Sequence, residues 1–98
     1  MSQEAKTKQI QIQADDLTLQ GKYSNLVKIT HTNEEFWFDF IAILPEPRVG
    51  RLLARIIVSP QHAKRILNIL KENIQKYEEM FGPITEPTEP FPKVEFIQ

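Results

Sequence analysis

Apolar residues recur at helical spacing in the second half of the chain, between Ser59 and Gly82. They follow the i, i+3, i+4, i+7 pattern of a helix with one side in a core, and charged or amide residues fill most other positions. Ser59 predicts the N-cap and Pro60 the first helical residue, while Gly82-Pro83 predicts the end. We therefore predict a helix of about 22 residues. Its apolar stripe consists of Ala63, Ile66, Leu67, Leu70, Ile74, Tyr77 and Phe81.

Alternation with a period of two predicts strands before this helix. Residues 23–30 and 35–43 alternate on either side of a turn at Thr32-Asn33-Glu34, which predicts a β-hairpin. Asn33 tolerates the positive φ that many such turns use. Residues 52–58 are apolar and rich in β-branched side chains, as in a buried strand. We predict an α+β fold, in which an antiparallel meander of three to four strands carries the long C-terminal helix on one face.

The second strand has two apolar faces, because successive side chains of a strand point in opposite directions. The phenylalanine face holds Phe36, Phe38 and Phe40. The tryptophan face holds Trp37, Asp39, Ile41 and Ile43. Alternation along the third strand places Leu52, Ala54, Ile56 and Val58 on one side and Leu53 and Ile57 on the other.

One helix covers only one of these two faces. Monomers rarely expose a large apolar patch, and a symmetric dimer is the simplest assembly that buries one. We therefore predict a homodimer formed through the uncovered face, with an aromatic residue near its centre. The predicted interface residues are Trp37, Ile41, Ile43, Leu53 and Ile57.

The chain divides into three parts by composition. We assign residues 1–16 to a flexible N-terminal arm, residues 17–84 to a single α+β domain, and residues 85–98 to a proline-rich C-terminal tail. The arm is polar, with Ile10 and Ile12 in alternation, and a short edge strand at its end is one reading. A further short alternation over residues 17–21 stops at a glycine.

The C-terminal tail contains a Thr-Glu-Pro duplication, which is typical of an extended chain without a core of its own. Beyond it, Val94 and Phe96 alternate with polar residues. This ending fits an edge strand, a docking peptide or a frayed terminus. Its proline-rich and polar composition makes it a poor cover for an apolar sheet.

Composition restricts the class of protein. The 98 residues suffice for one modest core, and 41% hydrophobic with 26% charged residues is typical of a soluble domain. There is no cysteine, which excludes disulfides, thiolate metal sites and a cysteine nucleophile. The longest apolar run is too short to span a membrane, and the first residues lack the order of a secretory signal. We expect a cytoplasmic protein without a membrane partner.

Charge is distributed unevenly along the chain. Residues 48–71 include six basic and no acidic residues, although the net charge of the chain is −1. Cations near a helix N-terminus oppose the helix dipole, which suggests another use for them. A patch for nucleic acid or another anion near the helix start is therefore one hypothesis. Its candidate residues are Arg48, Arg51, Lys64 and Arg65.

The residues that could carry chemistry form no recognisable site. His31 and His62 are too few for zinc, which needs three or four ligands. Ser59, His62 and Asp39 are the only trio worth testing for hydrolysis, and Ser59 already has a role as the helix cap. Asp39 and Arg55 lie in apolar strands, so we expect them to neutralise each other as a structural ion pair or to meet at a subunit interface. We expect no catalytic residue, no metal and no cofactor.

Short motifs with characteristic spacing extend from Gly21 to about Ile84. They are Gly21-x-Tyr23-x-Asn25, His31, Glu35-Phe36-x-x-Asp39-Phe40, Arg55, Ser59-Pro60-x-His62-Ala63-Lys64, Asn73-Ile74-x-x-Tyr77-Glu78 and Phe81-Gly82. Together they resemble a family of small prokaryotic proteins known only as a domain of unknown function, and the run before the helix is the most specific part. Ser24, where alanine is usual in that family, and Trp37 depart from the pattern. The resemblance implies no activity, cofactor or active site.

Two classes of function follow from these patterns. The first is a non-enzymatic protein-interaction or assembly module that works as a homo-oligomer, with itself or another protein as partner. The alternative is nucleic-acid or anion binding through the basic residues at the junction of strand and helix. The apolar sheet faces favour the first, because alternating phenylalanines belong to a core more often than to a base-stacking surface.

Overall fold

The computed structural model describes residues 8–46, 48–88 and 90–98. Its elements are α1 (Asp16–Gln20), β1 (Leu26–His31), β2 (Phe36–Leu44), β3 (Val49–Val58) and α2 (Pro60–Phe81). The strands form one antiparallel sheet in the order β1-β2-β3. The predicted α+β class, the meander and the long C-terminal helix are confirmed. The first seven residues of the predicted N-terminal arm, Pro47 in the loop before β3 and Glu89 in the tail lie outside the described residues.

A β-bulge in β3 changes which side chains share a face. Phe40 pairs with Ala54, but the next residue, Ile41, pairs with Leu52, so Leu53 is the extra residue. Directly paired residues lie on the same face of a sheet. Leu52 therefore joins the tryptophan face and Ala54 the phenylalanine face. The expectation that these two residues share a side is wrong, because the bulge interrupts the period of two.

The turn between β1 and β2 is held by a threonine. The backbone N–H groups of Glu34 and Glu35 both donate to the Thr32 hydroxyl, each at 3.1 Å. The Thr32 N–H donates to the carbonyl of Glu35 at 2.9 Å. Among the residues that the structure describes, positive φ occurs only at Gly21 and Gly82. Asn33 therefore does not use the left-handed conformation that the sequence suggested.

Asn25 extends the pairing of β1 with β2 beyond the regular ladder. Its side-chain oxygen accepts from the Ile43 N–H at 2.8 Å, and its amide nitrogen donates to the Ile43 carbonyl at 3.1 Å. Next to it, the Ser24 hydroxyl donates to the Ile41 carbonyl at 2.9 Å. The amide thus replaces a backbone pair at the end of the sheet, which gives the Tyr-x-Asn motif a structural role.

The segment before the sheet is a short helix. Residues 17–21 read as a strand-like alternation, but Asp16–Gln20 form α1. The Asp15 carboxylate caps this helix by accepting the Thr18 N–H at 2.7 Å. The hydrogen bond from Thr18 lowers the pKa of Asp15 below its usual value of 3.8. The cap at Asp15 therefore favours a helix over the weak alternation of residues 17–21. The described part of the N-terminal arm, residues 8–15, contains no strand.

Both predicted ends of α2 are confirmed. The Ser59 hydroxyl accepts the N–H of His62 at 3.1 Å. At the other end Gly82 adopts φ 95°, and its N–H donates to the Glu78 carbonyl at 2.9 Å. The Glu78 carboxylate also accepts the N–H of Ile84 at 2.8 Å. Glu78 therefore holds the first residues after the helix in a fixed turn.

The helix does not lie across the sheet, and the prediction that it packs on one face is wrong for the single chain. Within α2 no residue is buried; Ala63 and Ile66, near its start, are partly covered. Only Ser59 separates β3 from α2, whereas helix connections usually take two or more residues. This junction leaves no loop in which the chain could turn the helix back over the sheet.

The single chain is accordingly extended and has a very small core. Its radius of gyration is 17.5 Å, compared with about 13 Å for a compact chain of 100 residues. Among the described residues, only Leu26, Asp39 and Ile41 are buried. All three are on or beside the tryptophan face, so the core lies on that side of the sheet.

Candidate interaction surfaces

A partly buried ion pair lies at the middle of the tryptophan face. Asp39 and Arg55 are directly opposite each other in β2 and β3. The Arg55 Nε donates to Asp39 Oδ1 at 2.7 Å and Nη2 donates to Oδ2 at 3.2 Å, a bidentate arrangement. The Asp39 side chain is 1% exposed, and the hydrogen bond to it raises the pKa of Arg55. The predicted structural ion pair is confirmed.

The Arg55 guanidinium lies close to two aromatic rings. Its central carbon is 4.6 Å from the centroid of the Trp37 ring and 5.5 Å from that of Phe96. The Nζ of Lys28 lies 5.0 Å from the centroid of the same Phe96 ring. These distances are within the range of cation–π attraction. Phe96 comes from residues 91–98, here called the C-terminal segment, which therefore lies on the tryptophan face.

A cavity of about 510 Å³ remains between the tryptophan face and the C-terminal segment. Its floor is apolar and its rim carries charged residues, including Arg48 and Glu95. Among the described residues, no backbone hydrogen bond joins the C-terminal segment to the sheet. The side chains that form the floor are Leu26, Ile41, Ile43 and Leu52. The C-terminal segment covers this face without filling it, although its composition suggested a poor cover.

Four of the five residues of the predicted dimer interface lie on the tryptophan face. Trp37 pairs with Ile57, and Ile41 and Ile43 follow along β2 on the same face, while Leu53 is the bulge residue. Ile41 is only 4% exposed. A second copy would reach this face only after the C-terminal segment had moved. The dimer through these residues stays a prediction.

The apolar stripe of α2 is a second surface. Its residues beyond the first two turns lie on one side of the helix, and the Tyr77 and Phe81 rings contact each other at 5.0 Å between centroids. The exposed fractions are 58% for Leu67, 55% for Leu70, 40% for Ile74, 50% for Tyr77 and 68% for Phe81. An amphipathic helix normally hides such a stripe against another element. In the single chain the stripe is therefore exposed from Leu67 onward.

The phenylalanine face is also partly open. Phe40 and its neighbours Ile29 and Ile56 are exposed, while Phe36 and Phe38 are partly covered. In the sheet register, Phe38 lies directly between Ile29 on β1 and Ile56 on β3. The exposed aliphatic residues therefore flank a row of aromatic rings on one face.

The four basic residues of the predicted anion patch do not form one cluster. Arg48 precedes β3 and Arg51 is its third residue, whereas Lys64 and Arg65 are in α2, beyond the other end of the strand. A strand of the length of β3 spans about 33 Å. The structure therefore separates the set into two exposed pairs.

Three of the candidate catalytic or metal-binding side chains, those of Ser59, Asp39 and His31, have structural partners, while His62 is exposed. The Ser59 hydroxyl caps α2, and the Asp39 carboxylate binds Arg55. His31 stacks on Phe36, with 5.2 Å between ring centroids. Across residues 8–46, 48–88 and 90–98, no group of three or more His, Asp or Glu side chains is arranged to hold a metal ion. Within the same part of the chain, no helix is both long and apolar enough to cross a membrane.

Two residues near the ion pair, Lys28 on the sheet and Phe96 in the C-terminal segment, were not among the predicted site residues. Lys28 pairs with Asp39 from the side opposite Arg55, and Phe96 lies near both cations. A signal for Phe96 was present in its alternation with Val94. The position of Lys28 follows only from the strand register, which the sequence did not fix.

Comparison with known proteins identifies the family. Residues 1–86 match the family described as a protein of unknown function, DUF3467, so the chain belongs to that family. The predicted resemblance to a domain of unknown function is confirmed. Neither the curated proteins nor the solved structures include a match to this chain. The matched residues include the whole sheet and α2 and end before the C-terminal segment.

Proposed function

We propose that this DUF3467 chain is a non-enzymatic protein-interaction module that works as a homo-oligomer, with the apolar stripe of α2 as its main contact. The observation that carries the proposal is the exposure of that stripe along a helix with well-formed caps at both ends. A helix with these caps and no cover on its apolar side is suited to packing against another chain.

The free energy available from covering the stripe is substantial. The exposed fractions of its last five side chains add up to about 2.7 complete side chains. At about 1.5–3 kcal/mol for each fully buried side chain, covering them contributes about 4–8 kcal/mol. This is comparable with the whole net stability of a small domain. A second copy supplies cover that the chain's own sheet does not.

The large accessible surface of the single chain also supports the proposal. It measures 9663 Å², whereas a compact monomer of 11.5 kDa exposes about 5,800 Å². Association with a second copy would remove part of this excess from water.

The phenylalanine face of a second copy is the best acceptor for the stripe. A helix laid on an open sheet is a common two-layer arrangement, and this face exposes Ile29, Phe40 and Ile56 beside its aromatic row. The tryptophan face is less suitable because the C-terminal segment already lies on it. In a symmetric dimer each helix would cover the other sheet, so both apolar surfaces are used and the assembly closes.

Substitutions on opposite sides of α2 test this proposal by the mass measured in sedimentation. The full chain should sediment at micromolar concentration as a dimer of about 23 kDa, twice the 11.5 kDa of one chain. Leu70→Asp should give folded monomers, because it places a charge in the contact. Asn68→Asp, which adds the same charge on the polar side, should leave the dimer intact.

Two outcomes would contradict the proposal. One is a monomeric mass for the unmodified chain over the micromolar range. The other is a dimer that survives Leu70→Asp but dissociates with Trp37→Glu, which would place the contact on the tryptophan face.

A further inference from the structure

The tryptophan face has the features of a binding groove for an extended peptide. Its apolar floor borders a cavity of about 510 Å³, within the size range of ligand sites. Lys28 and Arg55 lie at the border of the groove, and both are within cation–π distance of the Phe96 ring. We propose that this groove binds an extended, acidic peptide segment with an aromatic side chain, and that the C-terminal segment occupies it as a built-in competitor.

The ring-binding part of the groove is preorganised. Arg55 is held by two hydrogen bonds to Asp39 and by its contact with the Trp37 ring. Its guanidinium therefore does not need to be ordered when an aromatic ring arrives, which reduces the entropic cost of binding. Lys28 contacts the same ring from the neighbouring strand β1. An aromatic side chain that enters here meets two cations.

The chemistry of the occupant follows from the charges and from the unfilled space. On the side of the sheet, Arg48 lines the cavity, and Lys28 and Arg55 lie near the Phe96 ring at its border. The C-terminal segment contributes one charge of each sign to the cavity, Lys93 and Glu95. Asp39 already pairs with Arg55, so Lys28 and Arg48 are the cations left for an occupant. A peptide with net negative charge complements them better than a segment in which Lys93 offsets Glu95. The remaining cavity shows that the C-terminal segment does not use all of the apolar floor. A peptide with larger apolar side chains next to its aromatic residue would fill it better.

The C-terminal segment is held in a way that allows its displacement. Phe91 and Ile97 are largely exposed, and within the described residues no backbone hydrogen bond joins the segment to the sheet. The segment also lies outside the residues that match the family, whereas every sheet residue of the groove lies inside them. The groove thus belongs to the family domain, and its cover does not.

A fluorescent peptide with the sequence of residues 91–98 is the probe for this site. Its binding is measured by anisotropy to the full chain and to the full-length Phe96→Ala variant. A tethered competitor has an effective concentration of about a millimolar, so the variant should bind the probe at least about tenfold more tightly than the unmodified chain. A probe with alanine in place of Phe96 should bind weakly to both proteins.

Matched charge variants locate the binding. In the Phe96→Ala background, Lys28→Gln should weaken probe binding, while Lys22→Gln in the loop before the sheet should leave it unchanged. Equal affinity of the Phe96→Ala variant and the unmodified chain would overturn the proposal, as would no binding of the probe to the variant. Sensitivity to Lys22 equal to that of Lys28 would also overturn it, because it would indicate nonspecific charge attraction.

The inference is independent of the proposed self-association through α2. Leu70→Asp should change the oligomeric mass and leave probe binding unchanged. Lys28→Gln should weaken probe binding and leave the oligomeric mass unchanged. A failure of one proposal is therefore distinguishable from a failure of the other.

Discussion

Leu70 gives the sharpest test of how α2 is covered. It lies in the middle of the apolar stripe, and 55% of its surface is exposed in the single chain. Truncation to alanine removes the same atoms whether or not a second copy covers them. The cost in unfolding free energy therefore measures how much of the side chain is buried in solution.

The two cases differ in magnitude. In an isolated chain less than half of the side chain is covered, so Leu70→Ala should cost about 0.7–1.4 kcal/mol, by scaling the value for a fully buried side chain. In an assembly that buries the stripe, the same substitution should cost about 2–5 kcal/mol, because it also leaves a cavity. We expect the larger value.

Urea unfolding at two protein concentrations separates these cases. For a dimer the apparent stability rises with concentration, because association favours the folded chains. Asn68→Ala is the control on the polar side of α2 and should change stability by less than about 0.7 kcal/mol, the range of helix propensity. Equal costs for Leu70→Ala and Asn68→Ala, without concentration dependence, would refute the reasoning.

Three further predictions concern the caps and the sheet end. Ser59→Ala should destabilise the fold by about 1 kcal/mol in urea unfolding, because it leaves a helix N–H unsatisfied; an unchanged midpoint would contradict the cap. Asn25→Asp should destabilise it by about 0.5–1.5 kcal/mol, the net value of an ordinary hydrogen bond, since a carboxylate cannot donate to the Ile43 carbonyl and this contact is exposed to water; Asn33→Asp in the turn between β1 and β2 is the control and should be nearly neutral. Because the pKa of Asp15 is lowered in the folded chain, its cap stabilises α1 above the unfolded pKa and is lost as the pH falls through the folded value. The NMR shift of the Thr18 amide should therefore titrate below pH 3.8, and a midpoint above it would refute the cap.

The features that the sequence predicted well depend on neighbouring residues. Ser59 and Pro60 define the start of α2, and Gly82 defines its end, because each acts within one helical turn. The ion pair of Asp39 and Arg55 was expected because two charges in apolar strands need each other. The register of the meander then brought them directly opposite.

The features that the sequence did not predict depend on distant contacts. The bulge at Leu53 carries no glycine or other local signal, so only the pairing with β2 reveals it. The position of α2 depends on a junction of one residue rather than on the amphipathic pattern. Phe96 reaches the tryptophan face across a proline-rich tail, and periodicity carries no information about where such a tail returns.

Isotope-filtered NMR on a mixture of labelled and unlabelled chains tests the central claim most directly. If the stripe of one copy packs on the phenylalanine face of another, intermolecular NOEs should join the methyl groups of Leu70 and Ile74 to the ring of Phe40. Intermolecular NOEs to Trp37 in their place, or none at all from a chain of monomeric mass, would contradict it.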